Sequence, residues 1–190
     1  MATTTHLMTA EELLTLESDA RFELWEGVRN EVSPSSIKTG LIRIRISTAI
    51  SNYVDMHGLG YVSDSESGFV LATNPDTVVA PDIGFFRPDR YPEDFPERGF
   101  YPLPPDLAVE VISPTDERSD IERKQALYAR ARVPLVWWVD PERRTVTVHR
   151  LGQEPEVLGE SQTLNGEDVR PGFEIPIERI FSIKRSAPRD

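Results

Sequence analysis

The 190-residue chain has no cysteine. That excludes disulfides and thiolate metal sites, and it fits a cytoplasmic protein. Histidine is nearly as scarce. His6, His57 and His149 are the full complement and lie far apart, which argues against a histidine-built zinc site. Any metal site would have to be made of carboxylates, which suit Mg²⁺ or Mn²⁺. No apolar run approaches the roughly 18 residues of a membrane span. The start, MATTTHLMTAEELL, lacks the basic segment and apolar stretch of a signal peptide. Basic charge is also in deficit, with 21 Lys and Arg against 32 Asp and Glu, a net charge of −11. Taken alone, that sign argues against a surface that binds nucleic acid non-specifically. The deficit is uneven, however. Residues 114–150 hold eight Lys and Arg against six Asp and Glu, so one locally basic face is compatible with the total.

What is present is an ordinary globular composition, 38% hydrophobic and 28% charged. The length suits one domain over residues 1–190. Thr9 and Glu12 form a capping-box pattern before Leu13, Leu14 and Leu16, which predicts a short helix at 9–18. Residues 22–32 alternate around Glu26 and Gly27, as a strand or a hairpin does. Residues 36–57 have helical spacing, with Ile37, Leu41, Ile44 and Thr48 on one line and Ile42, Ile46, Ala49, Ile50 and Tyr53 beside it. Strands are expected at 60–71, 78–86, 106–113, 134–140 and 145–151. A second capping-box pattern at Ser119 to Glu122 opens a helix at 119–132. The proline-rich stretch 87–105 reads as a long surface loop. Residues 151–190 form a polar, β-rich extension. The order predicts an α/β fold with a mixed central sheet.

Three residues break the local pattern, and such breaks tend to mark function. Glu110 lies in the middle of the apolar strand DLAVEVIS, where an unpaired carboxylate is costly. Asp82, in VVAPDIGFF, is expected to share its face with the small residues Ala80 and Gly84, which would leave room for a cation or substrate. Lys124 falls on the apolar stripe of its helix, near Ile121, Tyr128 and Ala131, and so is expected to turn toward the sheet. Two carboxylates and a strand carbonyl can hold a divalent cation, and a nearby lysine can stabilise charge developing on a phosphate. The competing readings are a structural ion pair between Glu110 and Lys124, a turn role for Asp82 after Pro81, and a snorkelling Lys124. Trp137 and Trp138 face opposite sides of their strand, and packing accounts for both.

The stretches APDIGFF, PDLAVEVISP and YARARVPLVWWVDP, with the lysine ten residues after the proline of the second, resemble the Uma-type family of restriction-endonuclease-like proteins. That family falls in the PD-(D/E)XK superfamily, and the resemblance runs from about residue 8 to 150. It implies a mixed central β-sheet flanked by helices and a Mg²⁺- or Mn²⁺-dependent endonuclease acting on DNA, with a homodimer as the working form. By the same resemblance Asp82 and Glu110 are metal ligands, the carbonyl of Val111 is a third, and Lys124 assists hydrolysis in place of the lysine expected at Ile112. Glu23, in RFELWEG, matches a further acid of the family; a solvated strand charge is the alternative for it. A nuclease fold kept as a binding or assembly module is the rival reading of the whole. A metal-independent carboxylate-pair hydrolase is a third, and it leaves the inward lysine unexplained.

Overall fold

The computed structural model describes residues 6–18, 20–90 and 98–182. Helix α1 (Ala10–Leu14) starts at Thr9, whose hydroxyl and Glu12 close the capping box. Strands β1 (Arg21–Trp25) and β2 (Val28–Val32) form the hairpin. Its two turn residues, Glu26 and Gly27, both have positive φ, the geometry that two-residue hairpins require. The long helix α2 (Ile37–His57) is capped by Ser36 and stopped by left-handed Gly58. There follow β3 (Tyr61–Asp64), β4 (Phe69–Ala72), β5 (Thr77–Val79), β6 (Ile83–Phe86) and β7 (Leu107–Val111). Helix α3 (Arg118–Arg130) leads to β8 (Leu135–Asp140) and β9 (Thr145–Arg150). The chain closes with β10 (Glu156–Leu158), β11 (Thr163–Gly166), β12 (Arg170–Pro176) and α4 (Ile177–Phe181).

The central sheet has six strands in the order β10-β9-β8-β7-β6-β3. It is mixed: β7 and β8 run parallel, with α3 as their crossover, and the other pairs are antiparallel. Strand alternation divides its side chains between two cores. Leu107, Val109, Val111, Leu135, Trp137 and Val139 pack against α2, β12 and α4. Ala108, Val136 and Trp138 pack on the other side with Tyr128 and Leu127 of α3, Trp25 of β1 and Phe69 of β4. Trp137 and Trp138 are both buried, one in each core. A four-stranded sheet, β2-β1-β5-β4, lies on the α3 side. Among the described residues no helix is long and apolar enough to cross a membrane.

Several expectations need correction. Strand 78–86 is two strands in two different sheets, broken at Ala80, Pro81 and Asp82. Proline cannot donate to a ladder, and here it marks the switch between sheets. Strand 60–71 is likewise two, β3 and β4. Helix α3 starts from Glu117 without a side-chain cap, not from the Ser119 capping box. On α2 the buried line is Thr39, Ile42, Ile46, Ile50 and Val54, whereas Ile37, Leu41 and Ile44 are exposed. A helix apolar on two faces can give only one to the sheet, and spacing alone does not say which. The 87–105 loop lies partly outside the described residues.

Gly84 is also not open space. A Cβ there would come within 2.6 Å of the Phe69 ring and 2.7 Å of Ser63 Oγ. The glycine lets β4 close over β6. Gly84→Ala is therefore expected to destabilise the protein by about 1–3 kcal/mol through overpacking, measurable by urea denaturation.

Candidate active site

The β6–β7 register pairs Ile83 with Val109 and Gly84 with Ala108, which leaves Asp82 and Glu110 to meet where the two strands end. Asp82 is anchored there, because its Oδ2 accepts the Val111 N–H at 2.8 Å. The main-chain N–H of Val111 is thus the part of that residue bonded to the acid pair. Glu110 lies on the α3 face of the sheet, and α3 supplies its partners one turn apart. Lys124 Nζ is 2.8 Å from Glu110 Oε1, and the Tyr128 hydroxyl donates to the same oxygen at 2.5 Å. The lysine points inward. Only 14% of its side chain is exposed.

Glu23 joins from the other sheet. Its Oε1 accepts from Lys124 Nζ and from the Ala80 N–H, both at 2.8 Å, and its Oε2 accepts from Trp25 Nε1 at 2.8 Å. It is 3% exposed, so it is not a solvated strand charge. By holding Ala80 it also fixes the break that sets Asp82 in place. A second cation arrives from the opposite layer: Arg43 of α2 places Nε 2.9 Å from Asp82 Oδ2. The sequence-predicted acids Glu23, Asp82 and Glu110 and the predicted Lys124 therefore form one cluster. Arg43, Tyr128 and Trp25 complete it, and the sequence reading assigned none of them a role. Tyr128 had a signal, since it sits four residues after Lys124 on the same helical face. Arg43 had none, being a polar residue between two isoleucines.

The cluster holds three carboxylates and two cations, all largely buried. Burial pushes Glu110 up to about 7; the charges of Asp82 and Glu23 add to the rise and Lys124 opposes it. Asp82 is also raised by burial, against the pull of Arg43 and the Val111 N–H. Burial works against the Lys124 ammonium, but Glu110 and Glu23 outweigh it and hold its pKa above the usual lysine value. Burial, with the neighbouring acids, raises Tyr128 well above an ordinary phenol, so it acts as a donor. Among the described residues no three His, Cys, Asp or Glu are grouped so as to hold a metal ion by themselves. Asp82 and Glu110 could hold one cation as a pair.

A raised carboxyl pKa has a consequence for stability. Glu110 favours the fold while protonated, so its contribution is full below the unfolded value of 4.5 and is lost as pH rises through about 7. Without added metal, the melting temperature should fall less between pH 5 and pH 8 in Glu110→Gln than in the native protein. A differential scanning calorimetry series across that range checks this; parallel curves would contradict it.

The family profile described as "Uma2: Putative restriction endonuclease" matches residues 10–178. The chain belongs to the Uma2 family. Among solved structures it is similar to one from Anabaena variabilis, described as a putative nuclease belonging to DUF820. The two superpose with a TM-score of 0.81 at 22% sequence identity, over 92% of this chain and 98% of that one. At that identity the likeness concerns the fold, the mixed α/β arrangement expected from the sequence. No curated protein matches the chain.

Proposed function

We propose that this Uma2 protein is a divalent-metal-dependent endonuclease that hydrolyses phosphodiester bonds in DNA. The carrying observation is the buried constellation of Asp82, Glu110 and Lys124, with Lys124 Nζ 2.8 Å from Glu110 Oε1. Family membership supports it. The donor set fits Mg²⁺ or Mn²⁺. Two hard carboxylates lie side by side, the cluster's three acids, Glu23 included, outnumber its two cations, and Glu110 takes up a proton near pH 7, where a cation could take its place. The third acid, Glu23, is taken up by Lys124, the Ala80 N–H and Trp25, which leaves Asp82 and Glu110 for an ion such as Mg²⁺, often held by one or two carboxylates while water and substrate phosphate complete its shell. Asp82, Glu110 and the Val111 carbonyl would hold the ion. When bound it would supply charge neutralisation at the phosphate and a more acidic water.

The chain's own residues do the rest. Lys124 keeps a fixed positive charge beside the acid pair, aimed by Glu23, and would stabilise the negative charge that develops on the phosphate oxygens. Glu23 acts through Lys124 and is a positioning residue. Tyr128 donates to Glu110 and orients its carboxylate. Cutting both strands of a duplex calls for two such sites, which a homodimer would provide. The test is plasmid cleavage with Mn²⁺ or Mg²⁺. Native protein is expected to nick or linearise the plasmid, and Asp82→Ala is not. Equal, metal-independent behaviour of the two would leave the binding-module reading as the better one.

A further inference from the structure

We infer that Arg43 is a substrate-binding residue, a contact for the DNA phosphate that Asp82 holds in reserve. The inference rests on the nuclease reading above and concerns the opposite side of the acid pair from Lys124.

The two cations are held in different ways. Lys124 is bonded to two carboxylates and is the less exposed. Among the described residues Arg43 meets Asp82 as its charged partner and Ser35, whose Oγ accepts from Nη1 at 2.9 Å. Its side chain is 27% exposed, so solution can reach it. Nε lies 2.9 Å from Asp82 Oδ2, an ion-pair contact, yet that buried nitrogen has no well-aligned hydrogen-bond acceptor among the described residues. The same Oδ2 accepts the Val111 N–H, so the strand and not the guanidinium sets where that oxygen lies. A buried donor without an aligned acceptor costs stability unless something uses it. A phosphate would. The guanidinium is a planar fork of donors that matches two phosphate oxygens at once, and that charge-assisted pair is stronger than a neutral hydrogen bond. Coming from α2, in the layer opposite α3, Arg43 would grip the substrate from the far side of the acids, leaving Lys124 its own side.

The arrangement makes a signed prediction. Arg43 and a divalent cation would compete for the same Asp82 carboxylate, so removing the guanidinium frees it. Arg43→Met should bind Mn²⁺ as well as or better than the native protein in calorimetry. It should also lose about ten- to a hundredfold in affinity for a short labelled DNA duplex, followed by fluorescence anisotropy with Ca²⁺ in place of Mn²⁺. Arg43→Lys, which keeps the charge but not the fork, should fall between and decides the matter if the methionine variant does not fold. A structural Arg43 behaves otherwise: Mn²⁺ and DNA affinity would fall together as Asp82 loses its support, and that result overturns the assignment. So does unchanged DNA affinity in either folded variant. Native protein that binds neither Mn²⁺ nor DNA removes the nuclease reading itself, an outcome distinct from failure of the Arg43 variants alone.

Discussion

Replacing Lys124 with methionine is expected to abolish cleavage and to destabilise the protein, more at pH 8 than at pH 5. Methionine keeps most of the stem volume, so packing changes little, but Glu23 and Glu110 lose the charge they share. Breaking a buried ion pair from one side costs about 3–5 kcal/mol, because the remaining charge is stranded. Part of that cost is avoided when Glu110 takes up a proton, which it already does at about 7 beside the lysine and would do at higher pH without it. At pH 5 Glu110 is mostly neutral in either protein and the difference shrinks. At pH 8 it is mostly ionised in the native protein only, and the difference is larger. For a chain of this length each kcal/mol shifts the melting temperature by about 2–4 °C, so the drop at pH 8 is expected to approach the roughly 6–20 °C of a fully broken pair. Thermal denaturation at the two pH values is the check. Equal destabilisation at both would mean that Lys124 supports the fold by packing and not by charge.

Asp82→Ala is the second large effect. Loss of a carboxylate that would hold the ion neutralising a reacting phosphate is expected to remove several kcal/mol of transition-state stabilisation, on the order of a thousandfold in rate. The same change should be visible without DNA. A ligand that binds only the folded state at a hundred times its Kd stabilises it by about 2.7 kcal/mol. Saturating Mn²⁺ should thus raise the native melting temperature by several degrees and leave Asp82→Ala unmoved. The stability of the metal-free variant separates two roles of this residue. Asp82 also receives the Val111 N–H and faces Arg43, so some loss is expected even without Mn²⁺. If the native protein shows no Mn²⁺-dependent shift, the carboxylate pair serves the fold alone.

Much of this site could be read before any coordinates. Glu110 stood out because a charge in a run of Leu, Ala, Val and Ile needs a partner, and Lys124 stood out because a cation on an apolar helical stripe needs one too. Their meeting was a matter of charge and periodicity. The hairpin at Glu26 and Gly27 and the opposed burial of Trp137 and Trp138 were legible for the same reason, since turn chemistry and strand alternation are local rules.

Tertiary structure decided what local rules leave open. It chose which apolar face of α2 meets the sheet, and so left Ile37, Leu41 and Ile44 outside. It split residues 77–86 between two sheets at Pro81, and filled the space beside Gly84 with Phe69. It brought Glu23 of β1 within hydrogen-bond reach of Lys124, 101 residues away in sequence. It also carried Arg43 from the opposite layer to Asp82. The sequence by itself determined which residues could not be left alone. The fold determined which partners they found, because contacts between distant segments depend on how layers stack, and no periodicity within a single segment records that.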